Sequence, residues 1–165
     1  MEKTLAVLNE LETVGLIRRY AIGGAVALLF YTEPVVTYDL DAFCLLPTET
    51  GPLITLSPIY EYLQQQGWPA QQEHILIAGI PVQLIPAYND LVVEAVTMAP
   101  EQSFKQTRTR VLLYEHLLAI MLQTGRPKDR LRLLQSLEER QPDGPVLQEI
   151  LGRHGLMAAW QERSR

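Results

Sequence analysis

Residues 35–46 constrain the fold more than any other part of the chain. The segment follows Pro34, is rich in β-forming residues and stops at Pro47, which predicts a strand. Beyond Asp41 its residues are apolar on both faces of that strand. Because such a pattern is typical of a strand in the middle of a sheet, we expect neighbouring strands on both of its edges.

Hydrophobic spacing and turn residues predict the other elements. Helices are expected at residues 2–14, 25–30, 57–66, 89–98, 114–124, 127–139 and 145–152, with a short last helix near Trp160. Ser57 and Asn89 are the predicted caps of two of them. Strands are expected at 17–22, 74–78 and 80–85, the last two forming a hairpin around Gly79, and only helices follow residue 109. This order predicts an α+β fold, with an α/β core over residues 1–108 and a helical C-terminal region over 109–165 packed on the same domain.

Charge and cysteine content limit what the chain can bind. The 165 residues carry a formal net charge of −5, so the molecule as a whole repels a polyanion and any contact with RNA needs a local basic patch. Basic residues cluster at 18–19, 105–110 and 126–132, a pattern that solvated helix faces also give. Cys44 is the only cysteine, which excludes an internal disulfide and a cysteine-based zinc cluster. The N-terminal residues lack the apolar run of a signal peptide or membrane span, so we expect a cytoplasmic protein without membrane contact.

Two aspartates lie on one face of the predicted central strand. Side chains alternate along a strand, so Asp39 and Asp41 share a face with Thr37, Phe43 and Leu45. Neighbouring carboxylates at a buried strand end are unfavourable unless a cation or donors neutralise them, and Mg²⁺ suits two such ligands. The alternative is an exposed strand end at which both carboxylates face water.

A Gly23-Gly24 turn precedes an apolar helix just upstream of this strand. A glycine turn at a helix start exposes backbone N–H groups, which suits a phosphate, although a simple tight turn also explains it. Taken together, the glycine turn and the aspartate pair indicate a metal–triphosphate site.

Two segments stand out in the sequence: IGGAVAL at residues 22–28 and TYDLD at residues 37–41. Together they resemble the signature of the nucleotidyltransferase superfamily, in which Gly-Gly or Gly-Ser comes shortly before an Asp-x-Asp strand. Residues 114–119 and 125–129 resemble the C-terminal helices of a small bacterial branch that includes abortive-infection and toxin–antitoxin nucleotidyltransferases. The likeness covers roughly residues 15–140.

This resemblance implies a mixed β-sheet with flanking helices and a defined set of functional residues. Asp39 and Asp41 would be catalytic and bind Mg²⁺ or Mn²⁺ together with Gln83, and Gly23, Gly24, Thr37 and Lys128 would bind the nucleotide. The implied reaction transfers a nucleoside monophosphate from an NTP to a hydroxyl group and releases pyrophosphate. The acceptor would be an RNA, a protein or a small molecule, and a cognate partner protein such as an antitoxin would fit this branch.

The chain departs from the family pattern at three chemically sensitive positions. Gln83 stands where active relatives carry a third acidic residue, Met121 where the toxin-like branch often has a lysine, and Arg132 where an acidic residue is expected. Two hypotheses follow: an enzyme with a reduced metal-ligand set, or a catalytically inactive member of the fold that binds a nucleotide or a protein. Glu73 and Asp90 are the acids nearest along the sequence that could complete the site.

The remaining charged residues have simpler interpretations. Lys128 lies in the first turn of a predicted helix and is either a phosphate ligand or a solvated surface lysine. Asp129 is expected to form a structural ion pair with Arg126 or Arg132. The three histidines, His74, His116 and His154, lack metal-ligand spacing, so they are expected at the surface or core edge and zinc is not expected.

Overall fold

The computed structural model describes residues 1–34, 36–47 and 55–163. In chain order the elements are α1 (Glu2–Thr13), β1 (Arg19–Ile22), α2 (Gly24–Leu28), β2 (Leu40–Leu45), α3 (Ser57–Gln65), β3 (Ala70–Gln71), β4 (His74–Ile77), β5 (Ile80–Pro86), α4 (Asp90–Met98), β6 (Glu101–Phe104), β7 (Thr107–Arg110), α5 (Tyr114–Thr124), α6 (Pro127–Glu139), α7 (Gly144–Arg153) and α8 (Met157–Glu162). Within this described part, no helix is both long and apolar enough to cross a lipid bilayer.

The main sheet is mixed, and β2 lies in its interior as predicted. The strand order is β1-β2-β5-β4-β3, with β2 antiparallel to β1 and parallel to β5. Residues 42–45 of β2 are all buried, which explains the apolar character of both strand faces. The expected α+β class with a mixed sheet and flanking helices is therefore confirmed.

The central strand begins later than predicted, at Leu40 instead of residue 35. The pairing of β1 with β2 ends at Ile22 and Ala42, and the pairing with β5 starts at Leu40 and Val82. Residues 36–39 therefore have no strand partner and form no strand, and Val35 lies outside the described residues. Asp39 thus precedes the strand, whereas Asp41 lies within it.

The hairpin around Gly79 is confirmed. Ala78 and Gly79 both have positive φ, 51° and 82°, as a two-residue turn of this hand requires. Asn89 caps α4 as predicted, because its side chain accepts a hydrogen bond from the Val92 N–H. The predicted cap at Ser57 is wrong, since Ser57 is already the first residue of α3 and its side chain makes no capping hydrogen bond.

A second, two-stranded sheet was not predicted. Strands β6 and β7 form a polar hairpin, so the expectation of helices only from residue 109 is wrong. This hairpin depends on distant contacts: the Asn9 side chain donates to the Arg108 carbonyl, and the Thr109 hydroxyl lies 3.1 Å from the Tyr20 hydroxyl. Such long-range contacts leave little trace in local spacing.

The C-terminal helices cover the sheet on the side of the candidate site. Helices α5 and α6 have the bounds that the sequence predicts, and residues 114–121 of α5 are buried. Gly125 ends α5 in the left-handed conformation with φ of 61°. This turn directs α6 back along α5 and brings its first turn to the end of the sheet that carries Asp41.

Glu94 joins α4 to the C-terminal helices. Its carboxylate accepts hydrogen bonds from Arg153 at 2.8 Å and lies 2.9 Å from His116 Nε2 and 2.8 Å from His154 Nε2. His116 is fully buried, so its predicted place at the surface or core edge is wrong. Hydrogen bonds from Arg153 and then from the two histidines lower the pKa of Glu94 to about 2, against an opposing effect of burial. Burial lowers the pKa of His116.

These two pKa shifts predict acid sensitivity. Because the pKa of Glu94 is lower in the folded protein than in the unfolded chain, its carboxylate stabilises the fold above pH 4.5, and this contribution is lost as the pH falls towards 2. The pKa of His116 is also lowered by folding, so protonation of this histidine destabilises the fold as the pH falls below 6.5. We expect Glu94→Gln to lower the free energy of unfolding at pH 7 by about 1–2 kcal/mol, after allowance for solvent screening. The difference from the natural chain should shrink as pH falls below 4.5. Urea unfolding across this pH range measures both, and a difference that is constant with pH would contradict the assignment.

Candidate functional site

A cavity of about 460 Å³ lies between the end of the main sheet and helices α5 and α6. Six of the seven sequence-predicted site residues line it: Gly24, Thr37, Asp39, Asp41, Gln83 and Lys128. Phe43, Ile85 and Leu117 contribute to an apolar wall. Residues that lie far apart in sequence thus meet in one polar and apolar pocket large enough for a small ligand.

Asp41 and Gln83 lie side by side on neighbouring strands. They are register partners in the parallel pair β2 and β5, and both side chains line the cavity. Asp39 lies just before β2 and lines the same cavity, although it is outside the strand whose side-chain alternation was the basis of the prediction. The arrangement brings two carboxylates and one amide to a single edge of the sheet.

Polar contacts hold Asp39 at the rim. The Thr37 hydroxyl donates to the Asp39 carbonyl at 3.2 Å and approaches its carboxylate at 3.5 Å. His74 Nε2, on β4, lies 3.3 Å from the other carboxylate oxygen, and the Asp39 side chain is 39% exposed. Asp39 therefore lies nearer to solvent than Asp41, and sequence spacing gave no sign of its contact with His74.

Asp41 lies in an environment that disfavours its charge. Burial, followed by the charge of the neighbouring Asp39 carboxylate, raises the pKa of Asp41 from 3.8 to about 6. Lys128, Arg132 and Arg126 act in the opposite direction and lower this pKa. These cations compensate the half-buried carboxylate only in part, and a bound cation would stabilise its charged form further.

The two glycines are required by close contacts. A Cβ atom on Gly23 would overlap the Phe43 ring, and one on Gly24 would overlap the Asp41 carboxylate. Gly24 also has φ of +58°, and the Gly23 N–H donates to the Asp41 carbonyl at 2.9 Å. The glycines thus bring the main chain directly against the aspartate strand. Gly23 does not line the cavity and instead packs against the Phe43 ring.

The first turns of α6 carry the cations of the site. Lys128 and Arg132 are one helical turn apart, and both line the cavity opposite Asp41. Asp129 also lines it and is 4% exposed, but Arg126 donates to its carboxylate at 2.5 Å and Thr124 at 2.9 Å. The predicted ion pair of Asp129 is therefore confirmed with Arg126 as the partner. Its place in the cavity wall was not predicted.

In the part of the chain that the structure describes, the aspartate pair has no third metal-binding carboxylate. Among the described residues, no group of three His, Cys, Asp or Glu side chains is arranged to hold a metal ion. Glu73 and Asp90 are exposed, and neither lines the cavity. The oxygen donors of Asp39, Asp41 and Gln83 nevertheless fit Mg²⁺ or Mn²⁺, because these ions take hard oxygen ligands and need only one or two carboxylates when a phosphate supplies the rest.

Comparisons with known proteins give likeness in structure only. No family model matches the chain, and no curated protein matches it in sequence. The crystal structure of an antigenic nucleotidyltransferase-like protein from Paracoccidioides brasiliensis has a TM-score of 0.57 at 14% identity, and the likeness covers 97% of this chain and 91% of that one.

Two further solved structures are similar at lower TM-scores. A putative nucleotidyltransferase from Thermotoga maritima has a TM-score of 0.47 at 16% identity, covering 83% of this chain and 94% of that chain. ANT(2'')-Ia, solved in complex with adenylyl-2''-tobramycin, has a TM-score of 0.45 at 13% identity, covering 98% and 95%. The likeness to the Paracoccidioides structure over nearly the whole length shows that this chain has a nucleotidyltransferase-like fold.

Proposed function

We propose that the chain binds a nucleoside triphosphate with Mg²⁺ or Mn²⁺ in this cavity and transfers the nucleoside monophosphate to a hydroxyl group. The observation that carries the proposal is the position of Asp41, a half-buried carboxylate that shares the cavity with Asp39 and with the cations of α6. A divalent cation at the aspartates and a phosphate chain at the cations would neutralise both groups.

The metal-binding residues of this proposal are Asp39, Asp41 and Gln83. When bound, the cation would neutralise charge on the attacked phosphate and on the leaving pyrophosphate. The transfer forms a bond between the acceptor oxygen and the α-phosphorus, breaks the bond to pyrophosphate and releases the hydroxyl proton to water. Asp39 is the more solvent-exposed of the two carboxylates, so its side of the cavity is the one that an acceptor could enter.

The nucleotide-binding residues act by position and charge. Gly24 would let the main chain approach the phosphates without a side chain between them, and Gly23 packs closely against the Phe43 ring. Lys128 would bind the phosphates, and the Thr37 hydroxyl holds Asp39 by donating to its main-chain carbonyl. The apolar wall around Phe43 and Leu117 limits water in the cavity.

The acceptor stays a prediction from the sequence. An RNA or protein acceptor would bind through a local basic patch such as the basic residues of α6, because the net charge of −5 makes the molecule as a whole repel a polyanion. A small molecule would need no such patch. A toxin–antitoxin role and a cognate partner protein are likewise predictions that a co-purification test can address.

The alternative is an inactive protein of this fold that binds a nucleotide or a protein partner. Gln83 favours it, because the neutral amide sits beside Asp41 where an additional carboxylate would strengthen metal binding and serve as a general base. The enzyme and the nucleotide-binding form of the alternative share nucleotide binding in the cavity, so binding is measured before transfer.

The test is calorimetric titration of ATP, GTP, CTP and UTP with and without Mg²⁺, for the natural chain and for Asp39→Asn/Asp41→Asn. The matched control is Glu73→Gln/Asp90→Asn, which removes the same charge from two exposed positions outside the cavity. We expect metal-dependent binding of at least one nucleotide in the natural chain and the control, and at least a hundredfold weaker binding in the aspartate variant. Binding that survives in the aspartate variant would contradict the proposed site.

Transfer is then followed with the nucleotide that binds, labelled at its α-phosphate, in the presence of candidate acceptors. Pyrophosphate release that depends on the metal and on both aspartates supports the enzyme. Metal-dependent binding with no release in any acceptor mixture supports the inactive alternative. Absence of binding for all four nucleotides rejects the enzyme and the nucleotide-binding form of the alternative, and leaves only the inactive protein that binds a protein partner.

A further inference from the structure

The charges of the cavity are divided between its two sides. One side carries Asp39, Asp41 and the neutral amide of Gln83, and the other carries Lys128 and Arg132. Arg126 also lines the cavity, but its guanidinium group forms a bidentate ion pair with Asp129. Lys128 and Arg132 have no ion-pair partner among the described residues, so their charges remain available to a ligand.

The aspartate side has enough negative charge for one divalent cation. Two divalent ions in a phosphoryl-transfer site lie about 3.5–4 Å apart and together carry four positive charges. Asp39 and Asp41 supply two negative charges, and the position beside Asp41 on the next strand is an uncharged glutamine. Within the described residues, no group of three potential ligand side chains compensates for this.

The cation side disfavours a second metal ion and can replace it. Lys128 and Arg132 lie on the same face of α6, and both line the cavity that also holds the two aspartates. A further divalent ion in the same cavity would be repelled by these fixed charges. An arginine side chain can bind phosphate oxygens through two parallel hydrogen bonds and so stabilises the same negative charge.

We propose that this site works with a single divalent cation, and that Arg132 together with Lys128 binds the β- and γ-phosphates in place of a second ion. The inference rests on the proposed nucleotide binding in this cavity and specifies its metal content. Arg132 thereby becomes a binding residue of the site, although the sequence marked it only as a departure from an expected acid.

Mn²⁺ and inorganic triphosphate are suitable probes, because they require no knowledge of the base or the acceptor. Equilibrium dialysis gives the number of Mn²⁺ ions per triphosphate bound to the protein. Electron paramagnetic resonance of the same complex separates an isolated Mn²⁺ ion from two spin-coupled ions at the short distance of a two-metal site. Neither readout depends on catalysis.

The natural chain should bind one Mn²⁺ per triphosphate, with the spectrum of an isolated ion. Gln83→Glu, which restores an acid of nearly the same shape beside Asp41, should bind two ions and give a coupled spectrum. Two coupled ions in the natural chain would overturn the inference while leaving the proposed function intact. No bound Mn²⁺ or triphosphate would overturn both, so the two failures are distinguishable.

Arg132→Gln tests the second half of the inference, with Arg130→Gln as the matched control. Arg130 is exposed on the same helix and does not line the cavity. Arg132→Gln should weaken triphosphate binding about ten- to a hundredfold, and the control by less than about threefold. In the Gln83→Glu background, Arg132→Gln should weaken triphosphate binding by a smaller factor, because the second ion then neutralises the phosphate charge that Arg132 neutralises in the natural chain. Equal losses in the two arginine variants would reject the assignment.

The result does not depend on the folding of Gln83→Glu, because the metal count of the natural chain decides the inference alone. Circular dichroism and thermal melting establish that each variant is folded before its metal content is interpreted. A folded Gln83→Glu that still binds only one ion would overturn the role given to Gln83.

Discussion

Asp41→Asn should lower nucleotidyl transfer by at least about a thousandfold and, at the same time, make the metal-free protein more stable. The reason is that one side chain has opposite effects on ligand binding and on folding. Burial and the Asp39 charge raise the pKa of Asp41 to about 6 from 3.8, so its ionised form destabilises the fold at neutral pH. Asparagine removes that charge and keeps the shape. We expect a gain of about 1–3 kcal/mol in the free energy of unfolding at pH 7.5 without metal.

Urea unfolding with a chelator and then with added Mg²⁺ measures the stability effect. Mg²⁺ should raise the free energy of unfolding of the natural chain and leave that of Asp41→Asn nearly unchanged, because a ligand stabilises only a folded state that binds it. Glu73→Gln is the matched control, since Glu73 is exposed and outside the cavity. Its stability and its response to Mg²⁺ should equal those of the natural chain. If Asp41→Asn is less stable than the natural chain without metal, the account of a strained buried charge is wrong.

Local sequence patterns predicted most of the fold. The interior position of β2 follows from its two apolar faces, and the bounds of α5 and α6 follow from hydrophobic spacing with Gly125 and Pro127 as the break. The β6–β7 hairpin escaped prediction because its strands are polar and are held by contacts with Asn9 and Tyr20, far away in sequence. Its sequence shows no apolar alternation that would identify a strand.

The candidate site was predicted in its acidic half and only partly in its basic half. The spacing of Asp39 and Asp41 placed both on one face, and Gly24 is positioned as a turn against them. Gln83 could be foreseen only through the family resemblance, because its place beside Asp41 depends on the parallel pairing of β2 with β5. Arg132 reaches the cavity through the packing of α6, and nothing local in the sequence reports that contact.

Gly24→Ala should be the most destabilising conservative change at the site, with a loss of about 2–4 kcal/mol in the free energy of unfolding. Two effects add. The residue has φ of +58°, which costs about 1 kcal/mol for alanine, and its new Cβ atom would overlap the Asp41 carboxylate. The carboxylate would have to move, so metal-dependent nucleotide binding should be lost as well.

Gly15→Ala separates the two effects. Gly15 also has a positive φ, +79°, but a Cβ atom there would meet nothing within 4 Å, so only the conformational cost of about 1 kcal/mol applies. In the Asp41→Ala background the overlap at Gly24 is relieved, and the cost of Gly24→Ala should fall towards that of Gly15→Ala. Urea unfolding of the four chains in this double-mutant cycle gives the coupling between residues 24 and 41. A coupling free energy near zero would mean that Gly24 is required only for the backbone conformation of its own turn. A coupling of about 1 kcal/mol or more would mean that a glycine is required at this position because of the close contact with the Asp41 side chain.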